Sequence, residues 1–502
     1  MSDLSRRSFI AGMSAIPFSV WFEKYAAAQP VVTRYNAYTP MGQNMLKTYA
    51  SAVKTMMSTS QRDPKSWVFQ WYTHWIKGDP NGDQKDNVIK NIYGPGSSPQ
   101  KALAKEMWET CQAHGDGMDE NYFLPWHRMY VYFFERIIRQ VSGKPGFTLP
   151  YWNYSVPGAR HGILPPEFRK SGDPTFGSLF INIRNVRNVA NGYANVNGGE
   201  AIDKYQSDSP LALTSLKQCT YKPRPPAIPG FCMDLDQTVH GSVHVLVGND
   251  NNMGDVPTAA GDPIFWLHHS NIDRLWASWE KAGRKDPTDD SNWMSKPFVF
   301  ADENGNRVVA TVKDFVSIAK LGYTYDRFET VPPPSPPCPT ISAAAAKRHA
   351  VVLGGAVSLA AEPVRATLEP AGAAAASLAS SIKSLKAERH IFLVLRNLRA
   401  QAQPGVLYDV YFDMPPDTPA DRRSSYFVGK LHFFNAVSHG AHSGDTSANA
   451  TPRFFSFDVT PLVKNLAKQN KLSAKPAVSI VPAGQPKAEA SPVIGEISLE
   501  EQ

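Results

Sequence analysis

A set of closely spaced histidines in the middle of the chain constrains the fold most strongly. His240 and His244 lie four residues apart in TVHGSVHVLVG, and His268 and His269 are adjacent in DPIFWLHHSNID, an apolar-periodic stretch. Residues four apart share one face of a helix, whereas neighbours point about 100° apart, so only one of the adjacent pair can face a common centre. The sequence therefore predicts two helices that meet at a histidine-lined site.

Imidazole nitrogens without carboxylate or thiolate partners favour Cu, Zn or Ni over Mg or Ca. A shell of three nitrogens is incomplete and leaves room for an exogenous ligand. The spacing alone does not choose the metal, because HxxxH arises often by chance and a buried histidine is more commonly an ordinary core residue.

The segment DPIFWLHHSNID resembles the second copper-binding signature of the tyrosinase, catechol oxidase and hemocyanin family, the type 3 dicopper proteins. In that signature the second of the paired histidines is the ligand. The resemblance implies that His240, His244 and His269 bind one copper ion. It also implies that His268 is a neighbour of the site and that Phe265 packs beside it.

A matching first signature lies upstream in HGDGMDENYFLPWHRMYVYFFE, which contains FLPWHR and a glutamate eight residues after His127. The resemblance implies His74, His114 and His127 as ligands of a second copper ion. Arg128 and Glu135 flank the ligand helix and are expected to fix it by ion pairing. The chain departs from the family in the loop after His114, which is longer than usual.

The cysteines are too few for a disulfide scaffold. Cys219 and Cys232 are close enough in sequence to pair, and Cys111 precedes His114 by three residues. Fungal and plant relatives carry a thioether between a cysteine and a first-site histidine, at a different spacing. A Cys111–His114 thioether and an ordinary buried thiol therefore both remain open.

The N-terminal stretch SRRSFIAGMSAIPFSVWF places paired arginines before a moderately apolar run. This pattern predicts a twin-arginine signal over residues 1–28 and an exported, periplasmic or secreted protein. The run is shorter than the roughly 20 residues of a spanning helix, so we expect no stable membrane association. The net charge is only +7, and no basic run is interleaved with aromatics, which argues against nucleic acid as a partner.

Apolar residues recur at helical spacing before His74 and His114, and the resemblance implies a catalytic domain over residues 29–330. Residues 160–221 are rich in Gly, Asn, Ser and Pro and are predicted to form a long surface excursion that shapes the site entrance. Within LGYTYDRFE, the YTYD motif resembles the tyrosine motif that closes the catalytic domain in relatives, with Arg34 as its expected partner.

The proline-rich stretch VPPPSPPCPT predicts an extended linker over residues 331–340. In residues 341–502, runs such as RHIFLVLRNL, VLYDVYFDMP and AVSIVPA predict an antiparallel β-sandwich. The runs DVYFD and FVGKLHFF resemble the C-terminal domain of plant polyphenol oxidases, which covers the copper site until the linker is cut. The histidines of this region receive no metal: His390, His432, His439 and His442.

The expected fold class is thus a mainly α catalytic domain, a four-helix bundle around a dicopper site, followed by the β-sandwich. The resemblance implies two copper ions as cofactor, with small phenolic substrates and O2 as partners. Val256, thirteen residues before the last ligand, resembles the small gate residue of bacterial tyrosinases and favours monophenols.

Gly241 occupies a position where many monophenol-hydroxylating relatives carry Asn, and Asp236 is a candidate base acting through water. Asp236 could equally be a solvent-facing or helix-capping residue. The leading hypothesis is a tyrosinase that o-hydroxylates monophenols and oxidises o-diphenols to o-quinones. A catechol oxidase without the first step is the runner-up, favoured by Gly241. A hemocyanin-like O2 carrier and a structural zinc pair are more distant alternatives.

Overall fold

The computed structural model describes most of the chain, and every structural statement below concerns these residues. They are 16–17, 31–74, 83–111, 120–185, 192–224, 226–249, 251–334, 347–352, 356–370, 385, 389–434, 436–437 and 454–502. His114, His439 and His442, most of the predicted signal and most of the predicted linker lie outside them. A thioether between Cys111 and His114 therefore lies outside the described residues as well.

All the described helices except the last surround one core that holds the histidines, and the last packs in the C-terminal region. In chain order they are α1 (Pro40–Ser58), α2 (Trp67–Tyr72), α3 (Asp83–Tyr93), α4 (Pro99–Glu109), α5 (Phe123–Ser142), α6 (Gly230–Leu235), α7 (Gly241–Val247), α8 (Ile264–Lys281), α9 (Ser291–Ser295), α10 (Val312–Phe315) and α11 (Thr460–Lys468). Hydroxyl caps begin several of them, as where Thr39 accepts a hydrogen bond from the Gly42 amide. Among the described helices, none is long and apolar enough to span a membrane.

Helices α5 and α8 form the centre of this core and pack directly on each other. Almost every residue of both is buried, which explains why their sequences are apolar on more than one face. The indole of Trp266 stacks on Phe134 with ring planes 11° apart. Helix α1 packs on the other side of α5.

A buried ion network ties these two helices to the start and the end of the catalytic region. Arg34 donates to Glu135 at 2.9 Å and to Asp273 at 3.1 Å, and Arg128 also pairs with Asp273. The Tyr325 hydroxyl lies 3.0 Å from the Arg34 guanidinium, so the predicted partnership between Arg34 and the tyrosine motif is confirmed. Because each buried charge has an opposite partner, the network can be stable inside the core.

Two small sheets flank the helices. Strand β2 (Val32–Arg34) pairs in parallel with β5 (Tyr323–Tyr325), and β3 (Pro297–Ala301) pairs antiparallel with β4 (Arg307–Thr311). Strand β1 (Ile16–Pro17), which lies within the predicted export signal, pairs in parallel with β4.

The C-terminal region is a single curled sheet. Its strands are β6 (Lys347–Val352), β7 (Val357–Ser358), β8 (Val364–Pro370), β9 (Ile391–Arg399), β10 (Tyr408–Phe412), β11 (Phe427–Leu431), β12 (Phe454–Asp458), β13 (Ala477–Pro482) and β14 (Val493–Glu501). The order is β11-β10-β13-β8-β6-β14-β9-β12, with β7 on β14, and the pairings are antiparallel. The Phe457 ring of β12 lies against Gly429 of β11, so the two end strands meet and enclose an apolar core. The predicted fold class is confirmed.

The segment predicted as a surface excursion is partly buried, which corrects that prediction. Arg184 has no exposed side-chain surface and donates to both carboxylate oxygens of Asp262, at 2.8 and 2.6 Å. Asp262 in turn accepts a hydrogen bond from the Ile264 amide at the first turn of α8. The excursion thus fixes the start of the helix that carries His268 and His269. His161, in the same segment, is partly buried and pairs with Asp203 at 2.8 Å.

Candidate copper site

Four histidines from two helical stretches form a tight cluster. His240 ends a π-helical turn over Asp236–His240, His244 lies in α7, and His268 and His269 lie in α8. One ring nitrogen from each lies within 4.8 Å of the others, and all four side chains are buried. The four-residue spacing predicted from the sequence therefore does place His240 and His244 toward one centre.

His268 lies closer to this centre than expected for a neighbour of the site. Its ring stacks on His240 with centroids 5.2 Å apart, and Tyr154 packs on it at 5.5 Å. His269 differs in reaching the other histidine set, because its ring lies parallel to His127 with centroids 4.0 Å apart. His269 thus lies between the two histidine sets, as expected for a ligand at the point where two metal sites adjoin.

The other set comprises His74, directly after α2, and His127 in α5. Their ring centroids are 5.6 Å apart. Phe265 packs edge-on to His74 at 5.0 Å and lies 4.2 Å from His269, so its predicted position beside the site is confirmed. Phe123 contacts the rings of His127 and His240, at 4.7 and 4.6 Å.

Burial keeps these imidazoles neutral. It lowers the pKa of His74 from 6.5 to about 3, and holds the pKa of His127, His244 and His269 well below the usual value, with neighbouring histidines adding to the effect. A neutral imidazole has a lone pair on one nitrogen, which is the form that binds a metal.

Hydrogen bonds select which nitrogen carries that lone pair. The Nδ1 atoms of His127 and His244 lie 2.9 Å from the Phe123 carbonyl and 2.6 Å from the Met253 carbonyl, so each Nδ1 carries the proton and donates it. The Nε2 of His244 and both ring nitrogens of His269 are buried without a hydrogen-bond partner among the described residues. Buried imidazole nitrogens of this kind fit a copper or zinc ion.

Asp236 orients one of these imidazoles. Its Oδ1 lies 2.8 Å from Nδ1 of His240, and the carboxylate is only 4% exposed. The solvent-facing alternative considered for Asp236 is therefore wrong, because π-helical winding turns this carboxylate inward. A carboxylate on Nδ1 fixes the tautomer and directs Nε2 toward a metal.

Val256 and Gly241 lie next to the two sets. Val256 is buried, begins the 3₁₀ helix Val256–Gly261, and its backbone forms a hydrogen bond with His74. Gly241 follows His240 at the first position of α7.

The cysteines differ from one prediction. Cys219 is disulfide-bonded, whereas Cys232 is a buried thiol of α6 outside any disulfide, so the predicted pairing of these two is wrong. Proximity in sequence did not bring them together because α6 holds Cys232 inside the apolar core. The Sγ of Cys111, a buried thiol outside any disulfide, donates to the His74 carbonyl at 2.8 Å.

The C-terminal sheet reaches this site. Phe434, just after β11, stacks on His244 with centroids 4.3 Å apart and lies 6.1 Å from His240. Its carbonyl accepts a hydrogen bond of 2.8 Å from the Gln403 amide. Further contacts hold the sheet in place, including Arg396 to the Pro226 carbonyl at 2.6 Å. The apolar residues Ala227, Met233, Phe392, Val394 and Phe454 form a shared cluster between the two parts.

Parts of the chain match known protein families. The common central domain of tyrosinase matches residues 64–282, and the polyphenol oxidase middle domain matches residues 287–332. The chain belongs to the tyrosinase and polyphenol oxidase family. Residues 342–502 match a domain family described as being of unknown function. Members of the tyrosinase family bind a dicopper centre, and the histidine cluster agrees with metal binding.

Among the relatives, tyrosinase HcTyr1 of Hahella sp. (strain CCB-MM4) is 29% identical over 497 residues, covering 93% of this chain and 98% of that protein. The chloroplastic catechol oxidase B of Solanum tuberosum is 31% identical over 270 residues, and the match spans only 43% of its length. The solved structure of latent apple tyrosinase superposes with a TM-score of 0.57 at 22% identity, covering 95% of this chain and 98% of that one. The helical part and the C-terminal sheet of this chain thus share the fold of latent apple tyrosinase.

Proposed function

We propose that this tyrosinase-family chain is a copper-dependent enzyme that o-hydroxylates monophenols and oxidises o-diphenols to o-quinones with O2. The main supporting observation is the stacking of His127 on His269, whose ring centroids lie 4.0 Å apart. This contact brings the two histidine sets into one buried space. A single metal ion would not need ligands from both histidine sets. The proposed ligands are His74, His114 and His127 for one copper ion and His240, His244 and His269 for the other.

Copper held by imidazoles supplies the redox chemistry with dioxygen, and the chain supplies the environment. His127 and His244 would bind the metal through Nε2, because their Nδ1 atoms donate to carbonyl oxygens, and Asp236 would hold His240 in the required orientation. Phe265 and Phe123 exclude water from the space between the sets. Val256, beside His74, is proposed to limit the width of the substrate entrance.

A catechol oxidase lacking the hydroxylation step is the second candidate. Two observations favour it: Gly241 has no side-chain amide to orient a water molecule, and the Asp236 carboxylate is engaged by His240. Proton removal from a monophenol would then lack a free base near the second set, whereas a catechol is more easily deprotonated. A hemocyanin-like O2 carrier is the third, and it predicts reversible binding without turnover.

The proposed domain division is a signal over residues 1–28, a catalytic domain over 29–330, a linker over 331–340 and a shielding domain over 341–502. Phe434 supports the shielding role, because its ring covers one face of a proposed ligand. The twin arginines support export.

The test is oxygen uptake by copper-loaded protein, intact and cut within the linker, with a monophenol and with the matching o-diphenol. Turnover of both substrates, greater after cutting, supports the proposal. Turnover of the diphenol alone supports the catechol oxidase, and reversible oxygen binding with neither substrate consumed supports the carrier.

A further inference from the structure

The backbone conformation of Gly241 does not require glycine. Its φ and ψ are −64° and −32°, the values of an ordinary right-handed helix. Glycine in a helix is less stable than alanine, because the unfolded glycine has more conformational freedom to lose. The explanation must therefore come from what surrounds this residue.

The C-terminal domain provides that explanation. A Cβ atom added at Gly241 would lie 2.0 Å from Nε2 and 2.1 Å from Cε1 of His432. Real carbon atoms do not approach so closely, so no side chain fits at this position while His432 occupies its place. The imidazole of His432 rests directly on the backbone at the first residue of the helix that carries His244.

His432 has little freedom to move aside. It is 4% exposed, and its ring stands edge-on to Phe455 with centroids 5.3 Å apart. Its Nδ1 accepts a hydrogen bond from the Phe434 amide at 3.3 Å. The same short segment thus places His432 on Gly241 and Phe434 on His244, and displacing one ring displaces the other.

We propose that residue 241 determines whether the C-terminal domain can close over the copper site, with glycine required for His432 to dock. Any side chain at 241 pushes His432 outward, lifts Phe434 from His244 and opens the site. Gly241 then has a steric role in the closed state, whatever its effect on the choice between monophenols and diphenols. The regulatory meaning rests on the proposed function, but the steric requirement does not.

The test uses the full chain and hydrogen exchange of the segment 427–434, which needs no copper. Gly241→Ala is expected to raise exchange in this segment by about tenfold or more, since overpacking a buried contact strongly disfavours the packed state. The double variant Gly241→Ala/His432→Ala is expected to return close to the wild type, because removing the imidazole leaves room for the added methyl group.

Gly261→Ala is the matched control. A Cβ at Gly261 would meet Trp71 at 3.6 Å, an ordinary contact, so exchange should not change. Wild-type exchange in Gly241→Ala would overturn the proposal, as would a double variant that is as open as Gly241→Ala alone.

Oxygen uptake with an o-diphenol then separates this proposal from the proposed function. Faster exchange in Gly241→Ala without turnover in any copper-loaded variant, cut or intact, keeps the steric requirement and removes the oxidase. Turnover by the cut wild type together with unchanged exchange in Gly241→Ala keeps the oxidase and removes the requirement.

Discussion

The ring of Phe434 lies nearly parallel to the imidazole of His244, with the two planes inclined by 17°. One ring belongs to the C-terminal domain and the other to the proposed copper site. Removal of the Phe434 ring should expose a surface beside His244 that is the size of an aromatic ring. Under the proposed function, a phenol ring would occupy this surface.

Replacing Phe434 with alanine should activate the intact protein. Loss of a buried phenylalanine costs about 3–5 kcal/mol, and here the loss falls on the closed arrangement. Diphenol turnover before any cut should rise by at least about tenfold. Phe433→Ala is the control, because Phe433 faces Tyr408 inside the C-terminal sheet and its loss should lower the unfolding temperature with a much smaller rise in turnover. Equal activation by both variants would show general loosening of the domain.

Replacing His269 with alanine should remove copper from the second shell and abolish turnover, while His268→Ala should retain more of both. The reason is that His269 faces the other histidine set as well as its own, whereas His268 stacks between His240 and Tyr154. The copper content of the two variants, measured by atomic absorption, tests this ligand assignment. Equal copper loss in the two variants would overturn the ligand assignment.

Replacing Asp236 with asparagine should lower copper affinity by about 10- to 100-fold, the usual loss when a partner of a ligating histidine is removed. The variant keeps the size of the side chain but removes the charge that holds Nδ1 of His240. Asp234→Asn is the control, since Asp234 accepts instead from Gln218 at 2.9 Å. Competition titration with a chelator measures the affinity. Asp236 would have no positioning role if both variants bound copper like the wild type.

Above about pH 7, where the buried histidines are neutral in both the folded and the unfolded state, the stability of the folded protein should fall as the pH rises to about 8. Burial raises the pKa of Glu280 from 4.5 to about 8, against the opposing charge of Arg128 and with support from Asp286. The folded state therefore holds a proton that the unfolded chain releases at lower pH, and raising the pH removes that advantage. The loss is about 1 kcal/mol per pH unit in this range.

Glu280→Gln should flatten this dependence, and Asp286→Asn should weaken it by removing a neighbouring acid. Urea unfolding at several pH values measures the slope. A slope in Glu280→Gln equal to that of the wild type would assign the pH dependence to other groups.

The sequence was most informative where one helix or one strand carries the pattern. The i, i+4 pair His240 and His244 converges as its spacing predicted, and the β-branched runs became β9, β10 and β13. These features depend on local periodicity, which a sequence displays directly.

Features that depend on distant parts of the chain were missed. Arg184 is the clearest case, since nothing local marks it as the buried partner of Asp262. The inclusion of His268 in the cluster follows from the packing of α8 against the π-helical turn, and the docking of Phe434 follows from the placement of the whole sheet. A helical glycine beside a proposed ligand was the one available signal of a close approach at residue 241.

Strand β14 has a consequence for the order of assembly during synthesis. It lies between β6 and β9 in the sheet, although about 140 residues of chain separate it from β6 and more than 90 from β9. The sheet cannot close until this strand has left the ribosome, whereas α5, α7 and α8 precede the sheet and can pack earlier. The nascent catalytic domain thus passes through an interval in which its histidines are assembled and still uncovered, and metal delivery has unobstructed access during that interval.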